Sequence, residues 1–336
     1  MKLVLVLFIL VFSLTSSANS ISFMQYNVEN FFDTLHDEGT EDWTYLPVSL
    51  KKQLPGHHEA CQLMTNTNYA EECLHLDWTE AKFTKKILNI SKMIKSFDNS
   101  GKGPDILMLQ EVENLNVISK LVSKGLDGLG YQYKVLIEGN DSRGIDVALI
   151  SKYPVVSSKI HPLVMNGQIE DTRGILQVDL NVKGQTVTVF VNHWPSQGNT
   201  TDYRVASAQQ LDKLASSLKS DLILAGGDFN TLETEVPYPF SFMSNWVDAE
   251  KMARELGVQM IGGTHFYRGE WSSLDHIFIH KKSALKPNYN SFQIMNRSFA
   301  LKKDSYSSEM IPNRFNFKTA EGFSDHLPMG LLIDIK

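Results

Sequence analysis

Positive charge is in deficit in this chain. Its 336 residues carry 32 Lys and Arg against 38 Asp and Glu, a formal net charge of −6. No global positive field therefore draws it onto a polyanion, which argues against a pure nucleic-acid-binding module. An enzyme that meets phosphates through metal ions and a few local cations is compatible with that balance. Long apolar runs are also scarce: one occurs, it is short, and a polytopic membrane protein is excluded. No proline-, glycine- or serine-rich linker splits the chain and no internal repeat is found. Asn27-Val28-Glu29-Asn30 and Val112-Glu113-Asn114 share letters but not context. At 42% hydrophobic and 21% charged, the composition excludes disorder, collagen and coiled coil.

The apolar run opens the chain. Lys2 precedes Leu3 to Leu14, and the small residues of Thr15-Ser16-Ser17-Ala18-Asn19-Ser20 follow. A positive start, an apolar core and a small-residue end predict a secretory signal peptide over residues 1–20, cleaved near Ser20-Ile21. The run is short of the roughly 20 apolar residues that a bilayer span needs. No Cys follows it, so lipid attachment is not indicated, and a secreted or periplasmic protein is expected.

Export changes how the only two cysteines read. An oxidising compartment favours pairing of Cys61 with Cys73, which lie in one segment. The short loop they close is stabilised by about 2–3 kcal/mol. A zinc site with His57, His58 or His75 is the alternative, but the tight pair spacing of structural zinc sites is missing.

From Ile21 onward, short apolar runs alternate with polar turns. Ile21–Tyr26, Ile106–Leu109, Val147–Ile150, Thr186–Val191, Leu222–Ala225, Ile277–Ile279 and Met329–Ile335 read as buried strands. Phe83, Ile87, Ile90, Ile94 and Phe97 fall on one helical face, with Thr79 as N-cap and Ser100-Gly101 as the stop. A second helix is predicted from about Tyr203 to Leu218, turning Val205, Leu211, Leu214 and Leu218 inward. Lys82, Lys85, Lys86, Lys92 and Lys95 read as a solvated cationic face. Many strands with interspersed helices predict an α/β fold with two sheets packed face to face and helices outside. One domain over residues 21–336 is expected, with a polar, disulfide-stapled insertion at about 38–78.

Polar residues collect at the ends of these strands, where a side chain is held rigidly at a rim. Asn27, Glu111, Asp146, His193, Asp228 with Asn230, Asp275 with His276, and Asp325 with His326 all occupy such places. Taken singly, each also has an ordinary structural explanation as a turn cap or buried histidine. Together they suit one chemistry: Glu111, Asn27 and Asp325 are hard oxygen ligands of the kind Mg²⁺ or Ca²⁺ prefers, and no Cys or His cluster indicates zinc. With a base for water and donors for developing charge, this inventory points to metal-assisted hydrolysis of a phosphate ester.

Seven sequence blocks carry a family resemblance. They are Tyr26-Asn27-Val28-Glu29-Asn30-Phe31-Phe32-Asp33, Leu109-Gln110-Glu111-Val112-Glu113-Asn114, Arg143-Gly144-Ile145-Asp146-Val147-Ala148-Leu149 and Asn192-His193-Trp194-Pro195-Ser196. Gly226-Gly227-Asp228-Phe229-Asn230, Leu274-Asp275-His276-Ile277 and Ser324-Asp325-His326-Leu327-Pro328 complete the order. In this order they resemble the endonuclease/exonuclease/phosphatase superfamily over essentially the whole mature chain. The Asn-Val-Glu-Asn-Phe-Phe-Asp and Gln-Glu-Val-Glu-Asn variants are most similar to its bacterial secreted nucleases. The resemblance implies a four-layer α/β sandwich of the deoxyribonuclease type.

It also implies roles. Glu111 would be the principal metal ligand, helped by Asn27 and Asp325 directly or through water. Asp228 would orient or deprotonate the attacking water, Asn230 would hold a phosphoryl oxygen, and His326, oriented by Asp275, would donate to the transition-state oxyanion. His193 would assist the leaving group with Asp146 as its carboxylate partner. Arg173 resembles a phosphate-contacting arginine of the family, and Arg143 is placed to face the same cleft. Trp194 reads as a packing residue and His276 as structural. The cofactor expected is Mg²⁺, with Mn²⁺ or Ca²⁺ as alternatives.

The first reading is thus a secreted, metal-dependent endonuclease degrading DNA, or RNA, with little base specificity. It is expected to be a monomer without stable membrane association. A phosphomonoesterase or sphingomyelinase-type hydrolase on the same scaffold is the second reading. A sphingomyelinase would show an exposed apolar hairpin; Trp43, Tyr45 and Leu46 are the nearest candidates and are interrupted by acidic residues. A non-catalytic binding protein is the remote reading, disfavoured because Glu111, Asp228 and His326 are all present.

Overall fold

A computed structural model describes residues 20–335; the expected signal peptide, apart from Ser20, lies outside the described residues. In chain order the strands begin with β1 (Ser20–Phe31), β2 (Ile106–Val112), β3 (Tyr133–Leu136), β4 (Asp146–Ser151), β5 (Val155–His161), β6 (Val164–Met165) and β7 (Gln168–Ile169). Next come β8 (Ile175–Val182), β9 (Gln185–His193), β10 (Leu222–Asp228), β11 (Trp246–Asp248), β12 (His265–Tyr267) and β13 (Glu270–Ser272). The last are β14 (Asp275–His280), β15 (Lys286–Ile294), β16 (Leu301–Lys303), β17 (Met310–Pro312) and β18 (Met329–Asp334). The helices are α1 (Val48–Lys51), α2 (His57–Gln62), α3 (Thr67–His75), α4 (Glu80–Lys95), α5 (Leu115–Lys120), α6 (Thr201–Ser216) and α7 (Ala249–Glu255).

Twelve strands form two six-stranded sheets, ordered β15-β18-β1-β2-β4-β3 and β11-β14-β10-β9-β8-β5. Each has one parallel pair at its centre, β1 with β2 and β9 with β10, flanked by antiparallel neighbours. Strand alternation assigns the faces. Phe23, Met108, Val189, Leu224, Ile277 and Leu331 fill the space between the sheets. The outward residues Met24, Tyr26, Leu107 and Leu109 pack on Phe83, Ile87, Ile90 and Ile94 of α4. On the far side Phe190, Ile223, Ala225 and Phe278 meet Ala208, Leu211 and Ala215 of α6. The result is the four-layer α/β sandwich, in which each fully buried apolar side chain contributes about 1.5–3 kcal/mol.

Both helices read from periodicity are present, with two corrections. In α4, Thr79 caps the start by accepting from the Lys82 N–H at 3.4 Å, and the helix stops at Lys95, before Ser100-Gly101. Lys86 is not on a solvated face. It follows Phe83 by three residues and precedes Ile90 by four, so helical spacing turns it inward; it is fully buried, and its ammonium donates to the Glu29 carbonyl. Its ammonium also sits 4.3 Å and 4.4 Å from the ring centroids of Phe315 and Phe317. In α6 the buried face is Arg204, Ser207, Ala208, Leu211 and Ala215, while Val205, Leu214 and Leu218 are half-buried. Arg204 is the reason for the rotation: its guanidinium pairs with Glu235 at 2.7 Å and donates to the carbonyls of Pro195, Ser196 and Asn199.

Residues 38–78 carry α1–α3, and the Cys61–Cys73 disulfide ties α2 to α3. His57 Nε2 lies 3.5 Å from Cys61 Sγ, but sulfurs joined to each other are not thiolate ligands, and the zinc alternative falls. A second clamp is the buried Lys51, whose ammonium donates to the carbonyls of Thr44, Cys73 and Leu76 at 2.9, 2.6 and 2.7 Å. Among the described residues no helix is long and apolar enough to cross a membrane. Replacing both cysteines (Cys61→Ser with Cys73→Ser) is expected to lower unfolding stability by about 2–3 kcal/mol. Chemical denaturation would read this loss, and an unchanged midpoint would show that Lys51 and packing suffice.

Candidate active site

The carboxyl ends of the two central parallel pairs meet at one end of the sandwich. Asn27 in β1 and Glu111 in β2 come from the first sheet; His193 in β9 and Asp228 in β10 come from the second. Local sequence explains how each is aimed. The pairing of β1 with β2 shifts register between Asn27 and Phe31, and that of β2 with β4 between Gln110 and Val112. Such bulges redirect a side chain, and here they coincide with left-handed backbone at Glu29, Asn30 and Glu111, with φ of 53°, 48° and 61°. Ahead of Asp228, Gly226 and Gly227 permit close approach. A Cβ on Gly226 would lie 2.5 Å from Met108 of the facing sheet, and one on Gly227, at φ 148°, only 1.9 Å from the Asn192 carbonyl oxygen.

One buried amide joins the sheets. Asn27 Nδ2 donates to Glu111 Oε1 at 3.1 Å and to Asp228 Oδ2 at 3.0 Å, while its Oδ1 accepts from the Glu29 N–H. Both carboxylates need a donor, so the network sets which way the amide faces. Its oxygen accepts the Glu29 N–H with one of two lone pairs, and its amide bridges the carboxylates of Glu111 and Asp228. Glu111 also accepts from the Asn30 N–H at 2.8 Å and keeps its side chain 20% exposed. Asp325, 27% exposed, faces Arg314 at 3.6 Å. Two accessible carboxylates, Glu111 and Asp325, are therefore the hard oxygen donors available for a divalent cation.

Two imidazoles converge on Asp228. His193 Nε2 and His326 Nε2 each lie 3.8 Å from Asp228 Oδ2, and His193 Nε2 is 3.9 Å from Glu111 Oε1. His326 Nδ1 is 2.7 Å from Asp275 Oδ2, in a fully buried pair. Burial pushes the Asp228 carboxyl up to about 7, against the pull of His326. Burial would lower His326, but Asp275 and Asp228 outweigh it and hold the imidazole well above its ordinary value. His193 goes the other way: burial first, then Arg173, Arg143 and His326, press it well below that value and keep it neutral. Asp228, Asp275 and His326 each bring a ligand atom within 4.8 Å of the others. His326 Nδ1 is engaged by Asp275, which leaves Nε2 as the ring nitrogen turned toward Asp228.

Asn230, at φ 47°, donates its N–H to Asp228 Oδ1 at 2.9 Å and its amide to the Trp194 carbonyl at 3.0 Å, leaving its second amide hydrogen. Arg173 is buried, bonded to Asp141 at 2.8 Å and to the Trp194 carbonyl at 3.1 Å. Arg143 is half-exposed on the same Asp141, within electrostatic reach of Glu111. Asp146 is not brought to His193. It accepts from the Gly139 N–H at 2.9 Å, and burial with the neighbouring Glu138 carboxyl pushes it up to about 8. A protonated acid next to another acid gives no charge to an imidazole, and His193 Nδ1 has no hydrogen-bond partner among the described residues. His276 bonds Asp248, the N-cap of α7, at 2.9 Å, and Trp194 packs on Phe229; both are structural.

Three residues of the site escape a reading of strand ends. Glu29 is buried between Arg314, Lys86 and Asp325, and burial followed by Asp325 pushes it up to about 7. It lies inside the Asn-Val-Glu-Asn block, but its partner Arg314 belongs to no motif. His265 packs its ring 4.9 Å from that of His326 and is pressed down to about 4 by burial and then His326; only its proximity to Leu274-Asp275-His276 signals it. Gly227→Ala is expected to cost about 3 kcal/mol or more. Equilibrium unfolding would measure this, and a variant as stable as the parent would contradict the close approach to Asn192.

The same architecture is known elsewhere. A TDP2 from D. rerio, solved in complex with single-strand DNA product, is 16% identical with a TM-score of 0.53, covering 94% of this chain and 100% of that one. An endonuclease/exonuclease/phosphatase family protein from Bacteroides thetaiotaomicron is 15% identical with a TM-score of 0.55, covering 94% and 95%. The beta toxin from Staphylococcus aureus is 14% identical with a TM-score of 0.50, covering 93% and 99%. No curated protein is significantly similar in sequence. At such identities the likeness shows the fold. The sequence profile of the Endonuclease/Exonuclease/phosphatase family, however, matches residues 64–335, and the chain belongs to that family.

Proposed function

We propose that the protein is an exported, divalent-metal-dependent nuclease that hydrolyses phosphodiester bonds of DNA or RNA by in-line attack of water. The observation that carries the hydrolysis is the convergence of two imidazoles, one charged and one neutral, on a carboxyl that titrates near neutrality, 3.8 Å from each. Glu111, with Asn27 and Asp325 helping directly or through water, would hold the cation, which when bound neutralises phosphoryl oxygens. Asp228, ionised, takes the proton of the attacking water. His326, kept charged by Asp275, donates toward the oxygen on which negative charge develops. His193, neutral, stands beside it for the leaving group, and Asn230 holds Asp228 through its backbone while directing its second amide hydrogen at a phosphoryl oxygen.

One observation supports nucleic acid as the substrate. The cleft is bordered by guanidinium groups, Arg143 on one side and Arg314 on the other, both suited to phosphates. The disulfide fits the oxidising compartment that export implies.

Purified mature protein should nick or degrade supercoiled plasmid with Mg²⁺ and leave it intact with EDTA. Intact plasmid under Mg²⁺, Mn²⁺ and Ca²⁺, with turnover of phosphomonoesters or sphingomyelin, would replace the nuclease reading. Asp228→Asn or His326→Ala should reduce kcat by at least about 10³-fold with the fold retained. The rate should fall as pH drops through about 7, where Asp228 gains its proton. Asp275→Asn removes the charge that holds His326 up, so the alkaline fall in rate should move toward neutral pH. A pH–rate profile identical to the parent's would remove Asp275 from the mechanism.

A further inference from the structure

The 38–78 segment does more than decorate the fold: it forms one wall of a cavity that adjoins the cleft. The cavity, about 460 Å³, lies between α3, which contributes Tyr69 and Glu72, and β16 with the residues that follow β17, which contribute Lys302, Arg314, Phe317 and Lys318. Its connection to the site is direct, because Arg314 pairs with buried Glu29 and faces Asp325 at 3.6 Å. Tyr45, from the same segment, links the two: its ring is 5.2 Å from that of Phe317 in the cavity lining, and its phenol lies within electrostatic reach of Glu72, Glu29, Glu111 and Arg143.

Three cations around one small cavity are unusual in a chain of net charge −6. Lys302 and Lys318 are exposed, as is most of the Arg314 side chain, and Tyr69 stands 64% exposed at the rim. Glu72 is the one carboxylate in the lining and opposes an anion there. Cations along a groove with an exposed aromatic face are what a single polynucleotide strand needs, since every phosphate is an anion and every base has a π-face. A lone phosphomonoester would use the cleft and leave this cavity idle.

We propose that this cavity is a subsite for the phosphate next to the scissile one in a bound strand, with Lys302, Arg314 and Lys318 meeting the phosphate and Tyr69 offering a stacking face to its base. The proposal rests on the nuclease reading above, and it makes the insertion a specificity element for polymers over small esters.

The double variant Lys302→Glu with Lys318→Glu tests it, because both side chains are at the surface and outside the catalytic set. With a single-stranded oligonucleotide, KM should rise about tenfold, and the dependence of log kcat/KM on log salt should flatten by about 0.7, the slope of one single-strand phosphate left without its cations. With bis(p-nitrophenyl) phosphate, which has no second phosphate, kcat/KM should stay at the parent's value. The neutral pair Lys302→Gln with Lys318→Gln should fall between. Oligonucleotide cleavage with unaltered KM and salt slope overturns the subsite alone. A parent enzyme that hydrolyses bis(p-nitrophenyl) phosphate but no oligonucleotide overturns the nuclease reading and the subsite with it. A loss confined to sphingomyelin vesicles would assign the cations to a lipid headgroup and also overturn the proposal.

Discussion

The side-chain amide of Asn27 is the contact on which the site depends. It is a buried donor in the first sheet that bonds a carboxylate of its own sheet and one of the other, Glu111 and Asp228. Two oxygens can stay within 3.1 Å of one nitrogen only if the ends of β1, β2 and β10 remain in register across the sandwich. The inter-sheet core enforces that register. Phe23 and Met108 pack from one side, and Gly226, lacking a side chain, lets the second sheet come close where Met108 reaches it. Packing that is dense and volume-sensitive thereby becomes positional accuracy a few residues further along the strands.

Electrostatics then divides identical groups into different parts. Asp228 and Asp275 are both fully buried carboxyls, yet one is held up to about 7 and the other is held below its ordinary value. Burial raises both; Asp275 is brought back down by the charge of His326 and its direct bond to it, whereas Asp228 has only amides and two imidazoles at 3.8 Å, of which only His326 is charged. In a low-dielectric interior such differences in partner are worth more than they would be in water. Glu29 is a third case: Lys86 and Arg314 oppose the effects of burial and Asp325 on it. The left-handed backbone at Glu29, Asn30, Glu111 and Asn230 gathers around the same few side chains, so local strain and unfavourable burial are concentrated at the site and carried by the sandwich around it.

Much of this architecture is legible in the order of residues. Short β-branched runs mark the central strands, and a 3.6-residue period marks α4, because both signals come from neighbours in sequence. Strand-end polar residues point to Glu111, Asp228, His193, Asp275 and His326, which the fold does bring together. The residues whose surroundings differ from that reading share one property. Lys86 and Arg204 are charged residues turned inward toward partners far along the chain, and Asp146 is engaged by Glu138 and not by His193.

The sequence by itself determined the alternation of faces, the helical stripes, the glycines that admit close approach and the set of groups available for chemistry. These follow from local sterics and periodicity. Tertiary structure alone decided which groups meet and in what protonation state. Asn27 bonds Asp228 across 201 residues, and Glu29 bonds Arg314 across 285. A carboxyl's affinity for its proton depends on burial and on charges brought near only by folding, and neither is a property of the residue or of its neighbours in the chain.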